Sequence, residues 1–147
     1  MSVRGFTLLE LVITITVMLV ILGVMGLQIP AVSAFKSQGF AGVLFHDLSL
    51  TRILSITQNQ DYQLVIGASS YQIQNQSGVP FQIPGASSAT TTYPTGVTVT
   101  PAMTLVFDST GQPYSSGTSL TTLLTLTVSV GGVNKTVTIT PETGVIQ

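Results

Sequence analysis

One stretch near the start of the chain limits what the rest can be. From Leu11 to Leu27 there is no charged residue, and Thr14 and Thr16 are the only polar side chains. Written as a helix, Phe6 to Leu27 spans about 33 Å, enough for a bilayer hydrocarbon core of about 30 Å. A single carboxylate, Glu10, sits near its start. An ionised side chain near the bilayer centre costs roughly 2.5–3.5 kcal/mol, so Glu10 needs a partner. No basic side chain lies between Gly5 and Lys36. An α-amino group created by cutting before Phe6, on this chain or a neighbour, would supply one.

Two plain readings compete. In the first the stretch is a signal anchor with Glu10 at the membrane edge. In the second it is a secretory signal peptide, with Val32-Ser33-Ala34 as its small-residue cleavage site. Secretory apolar regions run to about 7–15 residues, and this one is longer.

Arg4-Gly5, then Phe6-Thr7-Leu8-Leu9-Glu10 and a long apolar helix, resembles the leader and N-terminus of type IV prepilins and type II secretion pseudopilins. The resemblance implies cleavage between Gly5 and Phe6 by a membrane-embedded prepilin peptidase and N-methylation of Phe6. It makes Glu10 the acidic residue that sets assembly register. Residues 1–5 would then be a leader, 6–58 an N-terminal helix crossing the membrane over 6–29, and 59–147 a β-rich globular domain. The lone Arg4 before the apolar run favours a cytoplasmic N-terminus. The β-rich domain would lie in the periplasm.

Composition narrows the remainder. Charged residues make up 6% of the chain, against about a quarter in ordinary globular domains. There are no cysteines, so no disulfide and no thiolate metal site. The formal net charge is -1, and losing Arg4 would leave Lys36, Arg52 and Lys135 as the only basic side chains. That is a poor footprint for nucleic acid, whose binding requires several phosphates to be neutralised.

Beyond the apolar run, Pro30 should kink the helix or mark its emergence from the membrane. Residues 31–58 read as a moderately amphipathic helix. Leu44, Leu48 and Thr51 share a face at i, i+4, i+7 spacing, with Phe40 and Ile56 near its edges. Gly39 and Gly42 weaken the pattern. His46, Asp47 and Arg52 are expected to face solvent.

After Gln58-Asn59-Gln60-Asp61 the period changes. Residues 62–66 and 71–74 predict a hairpin around Gly67-Ala68-Ser69. Residues 81–83, between Pro80 and Pro84, make a short edge piece at best. Residues 86–95 are Ser/Thr-rich and predict an exposed loop. Strands follow at 97–99 and 103–107, then a turn over 108–113. Leu124, Leu126, Val128 and Val130 alternate with Thr125, Thr127 and Ser129. After Gly131-Gly132 the chain returns over 134–140 with Val137 and Ile139 inward.

The run Leu105-Val106-Phe107-Asp108-Ser109-Thr110-Gly111-Gln112-Pro113, the Gly-Gly hairpin and the closing Thr143-Gly144-Val145-Ile146 resemble the C-terminal domain of the GspH/FimT family. Those are minor pseudopilins and minor type IV pilins. The segment around Thr51-Arg52-Ile53 departs from that family's Ala-Arg-Ser pattern. The implied fold is α+β: a long N-terminal helix packed on a small antiparallel β-sandwich.

No catalytic constellation stands out. One histidine and no cysteine remove most nucleophilic triads and zinc sites. Asp47, Asp61, Asp108 and Glu142 are scattered, and Asp108 reads as a turn former. No enzyme activity, metal or cofactor is expected.

The expected function is that of a structural subunit, a minor pseudopilin of a type II secretion filament. The alternative is a minor type IV pilin for pilus biogenesis, adhesion or DNA uptake. Expected partners are other pilin or pseudopilin subunits, a prepilin peptidase, an inner-membrane assembly platform and membrane lipid. Nucleic acid is disfavoured.

Overall fold

The computed structural model describes the backbone of residues 7–25 and 29–147, and the side chains of residues 7–23 and 32–147. The chain divides into two compact units, Met1–Val32 and Ser33–Gln147. Within the described part of the first lies α1, Leu8–Met25. Its 18 residues rise about 27 Å. No helix among the described residues is long and apolar enough to cross a membrane. The span expected over 6–29 includes residues 6 and 26–28, which lie outside the described residues.

A second helix, α2, runs Ile29–Gln58. Pro30 was expected to kink one helix or end its membrane passage. It falls in the first turn of α2, where a missing N–H costs little because no carbonyl precedes it within the helix. One face of α2 is buried. Leu44, Leu48 and Thr51, the expected stripe, are fully buried, and Phe40 and Leu54 extend it. Ile56 stays partly exposed.

Nine strands follow: β1 (Tyr62–Ile66), β2 (Ser70–Asn75), β3 (Thr90–Thr92), β4 (Val97–Thr100), β5 (Met103–Phe107), β6 (Pro113–Ser115), β7 (Thr118–Ser119), β8 (Leu124–Val130) and β9 (Val133–Ile139). They form two antiparallel sheets, ordered β3-β2-β1-β5-β6-β7 and β4-β8-β9. The α+β fold is as expected, with α2 laid on the sheets. Alternation sets the buried face: Leu126, Val128 and Val130 point in from β8, and Val137 and Ile139 from β9. These join Leu64, Ile73, Leu105, Phe107 and the α2 stripe in one core. Each large aliphatic side chain buried there contributes about 1.5–3 kcal/mol.

Local expectations are refined in four places. The loop over 86–95 contains β3, whose three threonines pair with β2. Tyr93 in that loop is buried because its ring packs edge-on to Phe40 at 5.4 Å and its hydroxyl donates to the Gly67 carbonyl. Residues 81–83 form no strand; Phe81 donates one backbone bond to Ile73 and packs on the core. The turn over 108–113 leads into β6 and β7, too short to show any alternation.

The last correction concerns charge. Of His46, Asp47 and Arg52, only His46 faces solvent, with its side chain 71% exposed. Asp47 points inward, its side chain 5% exposed, and accepts a 2.6 Å hydrogen bond from the Tyr71 hydroxyl. Arg52 is half-buried and donates from Nε to the Gly111 carbonyl at 3.3 Å.

A candidate assembly helix and a latched β domain

Helix α1 starts where the chain can cap it. Thr7 Oγ1 accepts from the Glu10 amide at 3.3 Å, and the Thr7 carbonyl accepts from the Glu10 and Leu11 amides. Thr7-x-x-Glu10 thus has the spacing of a capping box. A carboxylate in the first turn also complements the partial positive charge there, worth about 0.3–1 kcal/mol when exposed. The Thr7-Leu8-Leu9-Glu10 spacing carries this local role in the sequence itself. The Glu10 side chain itself is exposed.

The remainder of α1 offers hydrocarbon on every side. Leu8, Leu9, Met18, Leu19, Val20 and Leu22 are each more than 60% exposed, and the apolar residues between them about half. Its two threonines turn their hydroxyls onto their own helix. Thr14 Oγ1 donates to the Glu10 and Leu11 carbonyls, and Thr16 Oγ1 donates to Val12 at 2.7 Å. That is how hydroxyls are satisfied in surroundings without water. A helix apolar all round has no solvated face, so its stable place is inside an assembly or a membrane. Among the expected site residues, the structure describes Glu10. Gly5 and Phe6 lie outside the described residues.

The second unit carries features that hold α2 on the sheets. Burial first, then the hydrogen bond to Asp47, keep the proton on the Tyr71 hydroxyl far above its usual range. Burial alone raises Tyr93. Arg52 lies where the turn over 108–112 meets the chain near Gly144. A side chain on Gly144 would collide with the Gly111 carbonyl and lie 3.1 Å from Arg52 Nε. Gly144 also has a φ of 64°, open to glycine at little cost. Asp47 and Arg52 read as solvated in the sequence, because a lone charged residue on a helix ordinarily is.

Open depressions mark the surface of this unit. One, about 590 Å³, is bounded by Gly85, Ser87, Ser88 and Thr90–Thr92. A second, about 330 Å³, lies between Asp61, Val106, Asp108, Tyr114 and Gly117. The third, about 270 Å³, is lined by Val65, Gly67, Ser70, Tyr71, Gln72 and Thr90. Among the described residues, no three His, Cys, Asp or Glu side chains converge.

No protein-family model and no curated protein matches the chain by sequence. The fold does have a solved counterpart. The chain is similar to the minor pseudopilin EpsH from the type 2 secretion system of Vibrio cholerae, with a TM-score of 0.53. The likeness covers 78% of this chain and 94% of that one, at 19% sequence identity. The fold is therefore pseudopilin-like.

Proposed function

We propose that the chain is a filament subunit, a minor pseudopilin of a type II secretion machine. The observation that carries this reading is the pairing of a pseudopilin-like fold with a helix exposed on every side and apolar beyond Glu10. In this reading a prepilin peptidase cuts between Gly5 and Phe6, and Phe6 is methylated. The apolar helix holds the subunit in the inner membrane, with the β domain on the periplasmic side. An assembly platform then extracts it into a filament with other pilin-like subunits.

Burial of α1 among neighbouring helices would supply the stability, at about 25 cal/mol per Å² of apolar surface. Glu10 would meet the amine of Phe6 on an adjoining subunit. In such surroundings an ion pair acts mainly on register, because removing one partner strands the other without water. Nothing in the arrangement asks for catalysis, so the subunit is read as structural.

Co-expression with a prepilin peptidase tests the reading. A mature chain beginning at N-methylated Phe6 is the expected product, and a chain left uncut would sink the reading. In the same system Glu10→Ala should be cut normally yet enter filaments poorly. Normal incorporation would remove the register role.

A further inference from the structure

The six-stranded sheet turns one face to the core and the other to solvent. Leu64, Ile66, Ile73, Leu105 and Phe107 point inward. Their neighbours Gln63, Val65, Gln72, Gln74 and Val106 therefore point outward. The pairing register lines up Gln74, Gln63, Val106, Tyr114 and Ser119 across β2, β1, β5, β6 and β7. At about 4.8 Å per strand the row is about 19 Å long. Thr90, Gln72, Val65 and Thr104 make a second row beside it. Neither row contains Lys, Arg, Asp or Glu. The depression of about 330 Å³ opens beside Val106 and Tyr114, with Asp61 and Asp108 in its lining. The one of about 270 Å³ opens on the other side of the face, beside Val65, Gln72 and Thr90.

We propose that this face binds an uncharged oligosaccharide, stacked on Tyr114 and bridging the two depressions. The inference goes beyond the filament reading and does not depend on it. The occupant follows from the lining. A polyanion would meet Asp61 and Asp108 with no cation in either row to offset them. An apolar ligand would strip water from glutamine amides and carboxylates without replacing its hydrogen bonds. A metal ion lacks a ligand set, since no three acids converge among the described residues. A sugar chain meets both halves of the lining. Its hydroxyls donate to carboxylates and can donate to or accept from amides. Its C–H faces lie against the Tyr114 ring and Val106.

The polar groups are positioned before a ligand arrives. Gln63 Nε2 donates to Gln74 Oε1 at 3.0 Å, which leaves the other polar atom of each amide for a ligand. Thr90 Oγ1 donates to Gln72 Oε1 at 3.3 Å in the second row. The Tyr114 hydroxyl donates to Gln112 Oε1 at 3.4 Å, so the phenol is tethered while its ring lines the depression. Asp108 Oδ1 accepts from the Thr110 amide, the Thr110 hydroxyl and the Gln112 amide, which fixes the carboxylate. Side chains already held lose little freedom on binding, and that loss otherwise consumes affinity. Tyr114 should contribute most, because aromatic anchors dominate recognition surfaces. Hydroxyl bonds to the two carboxylates add to it, being charge-assisted.

The test uses the full chain in a polyoxyethylene detergent, since sugar-based detergents would compete. Cellohexaose, maltohexaose and chitohexaose are titrated separately, with binding followed by ligand-observed NMR. At least one should bind with a Kd below about 1 mM. Tyr114→Ala should weaken that binding about tenfold or more. Asp61→Asn should weaken it several-fold with the thermal midpoint of the β domain unchanged, and carries the test if Tyr114→Ala does not fold. The acidic chain hexagalacturonate should bind less tightly than the neutral ones. No binding of any neutral chain up to about 1 mM overturns the proposal. Undiminished affinity in a folded Tyr114→Ala or in Asp61→Asn overturns the placement of the sugar on this face. Hexagalacturonate binding as tightly as the neutral chains overturns the choice of an uncharged occupant.

Discussion

The two helices are built on opposite terms. Helix α2 has one face that meets the sheets through Leu44, Leu48 and Thr51 and another that carries its only histidine. Helix α1 has no such division: its apolar residues are exposed whichever way they point. Helix α2 is therefore stabilised by its own domain, whereas α1 must find its apolar surroundings elsewhere. A mutation in α2's buried stripe should show in folding, and one in α1 should show in assembly.

The sharpest way to break this contrast lies in the core. Leu48→Ala leaves a cavity under α2 and should lower unfolding free energy by about 2–5 kcal/mol. Denaturant titration of the full chain in detergent would measure it. A loss under about 1 kcal/mol would mean that α2 does not depend on this contact.

The reverse experiment places a charge in α1. Val17→Asp should cost roughly 2.5–3.5 kcal/mol in an apolar assembly or membrane, about a hundredfold in partition or association. The thermal midpoint of the β domain should not move. A shift comparable to that of Leu48→Ala would make α1 part of the domain's own stability and erase the contrast.

How much of this could be read beforehand follows the same division. The inner stripe of α2 and the hairpin of β8 and β9 were legible, because leucines at i, i+4 and alternating Leu/Val against Thr leave strong periods. Strands β6 and β7 were not, since runs of three and two residues carry no period and are held by pairing, β6 to β5 and β7 to β6. Strand β3 hid in a threonine-rich segment that reads equally as loop. Asp47 was assigned to solvent because a buried carboxylate is costly without partners, and its partner Tyr71 lies 24 residues away. In α1, Glu10 stands out in the sequence as a lone carboxylate before an apolar run, and the Thr7-x-x-Glu10 spacing carries its capping geometry.

Tyr71→Phe sharpens the contrast from inside α2's buried face. It removes the hydroxyl that donates to Asp47 Oδ2 and leaves that oxygen in an apolar setting. Loss of a hydrogen bond to a charged group costs about 1.5–3 kcal/mol. Equilibrium unfolding at neutral pH would detect it. Adding Asp47→Asn should recover part of the loss, since the stranded charge goes with it. Failure of the double variant to recover any stability would show that the ring's packing, not the hydrogen bond, carries the effect.

The smallest effect belongs to a carboxylate outside both helices. Asp108 Oδ1 accepts from the Thr110 amide, the Thr110 hydroxyl and the Gln112 amide at 2.7–2.9 Å. Burial alone would raise its pKa, but hydrogen bonds from Thr110, Gln112 and Tyr114 outweigh it and hold the group below the ordinary carboxylate range. A depressed folded value means the ionised group stabilises the fold above the unfolded value, and the contribution fades as pH falls through the folded one. Asp108→Asn keeps an acceptor for the turn but gives up the charge. Its thermal midpoint should lie slightly below the wild type at pH 7, and the gap should close as pH is lowered toward 3. A gap that stays constant over that range would trace the loss to turn geometry rather than to charge. Either way the change belongs to the β domain, so association through α1 should not follow it.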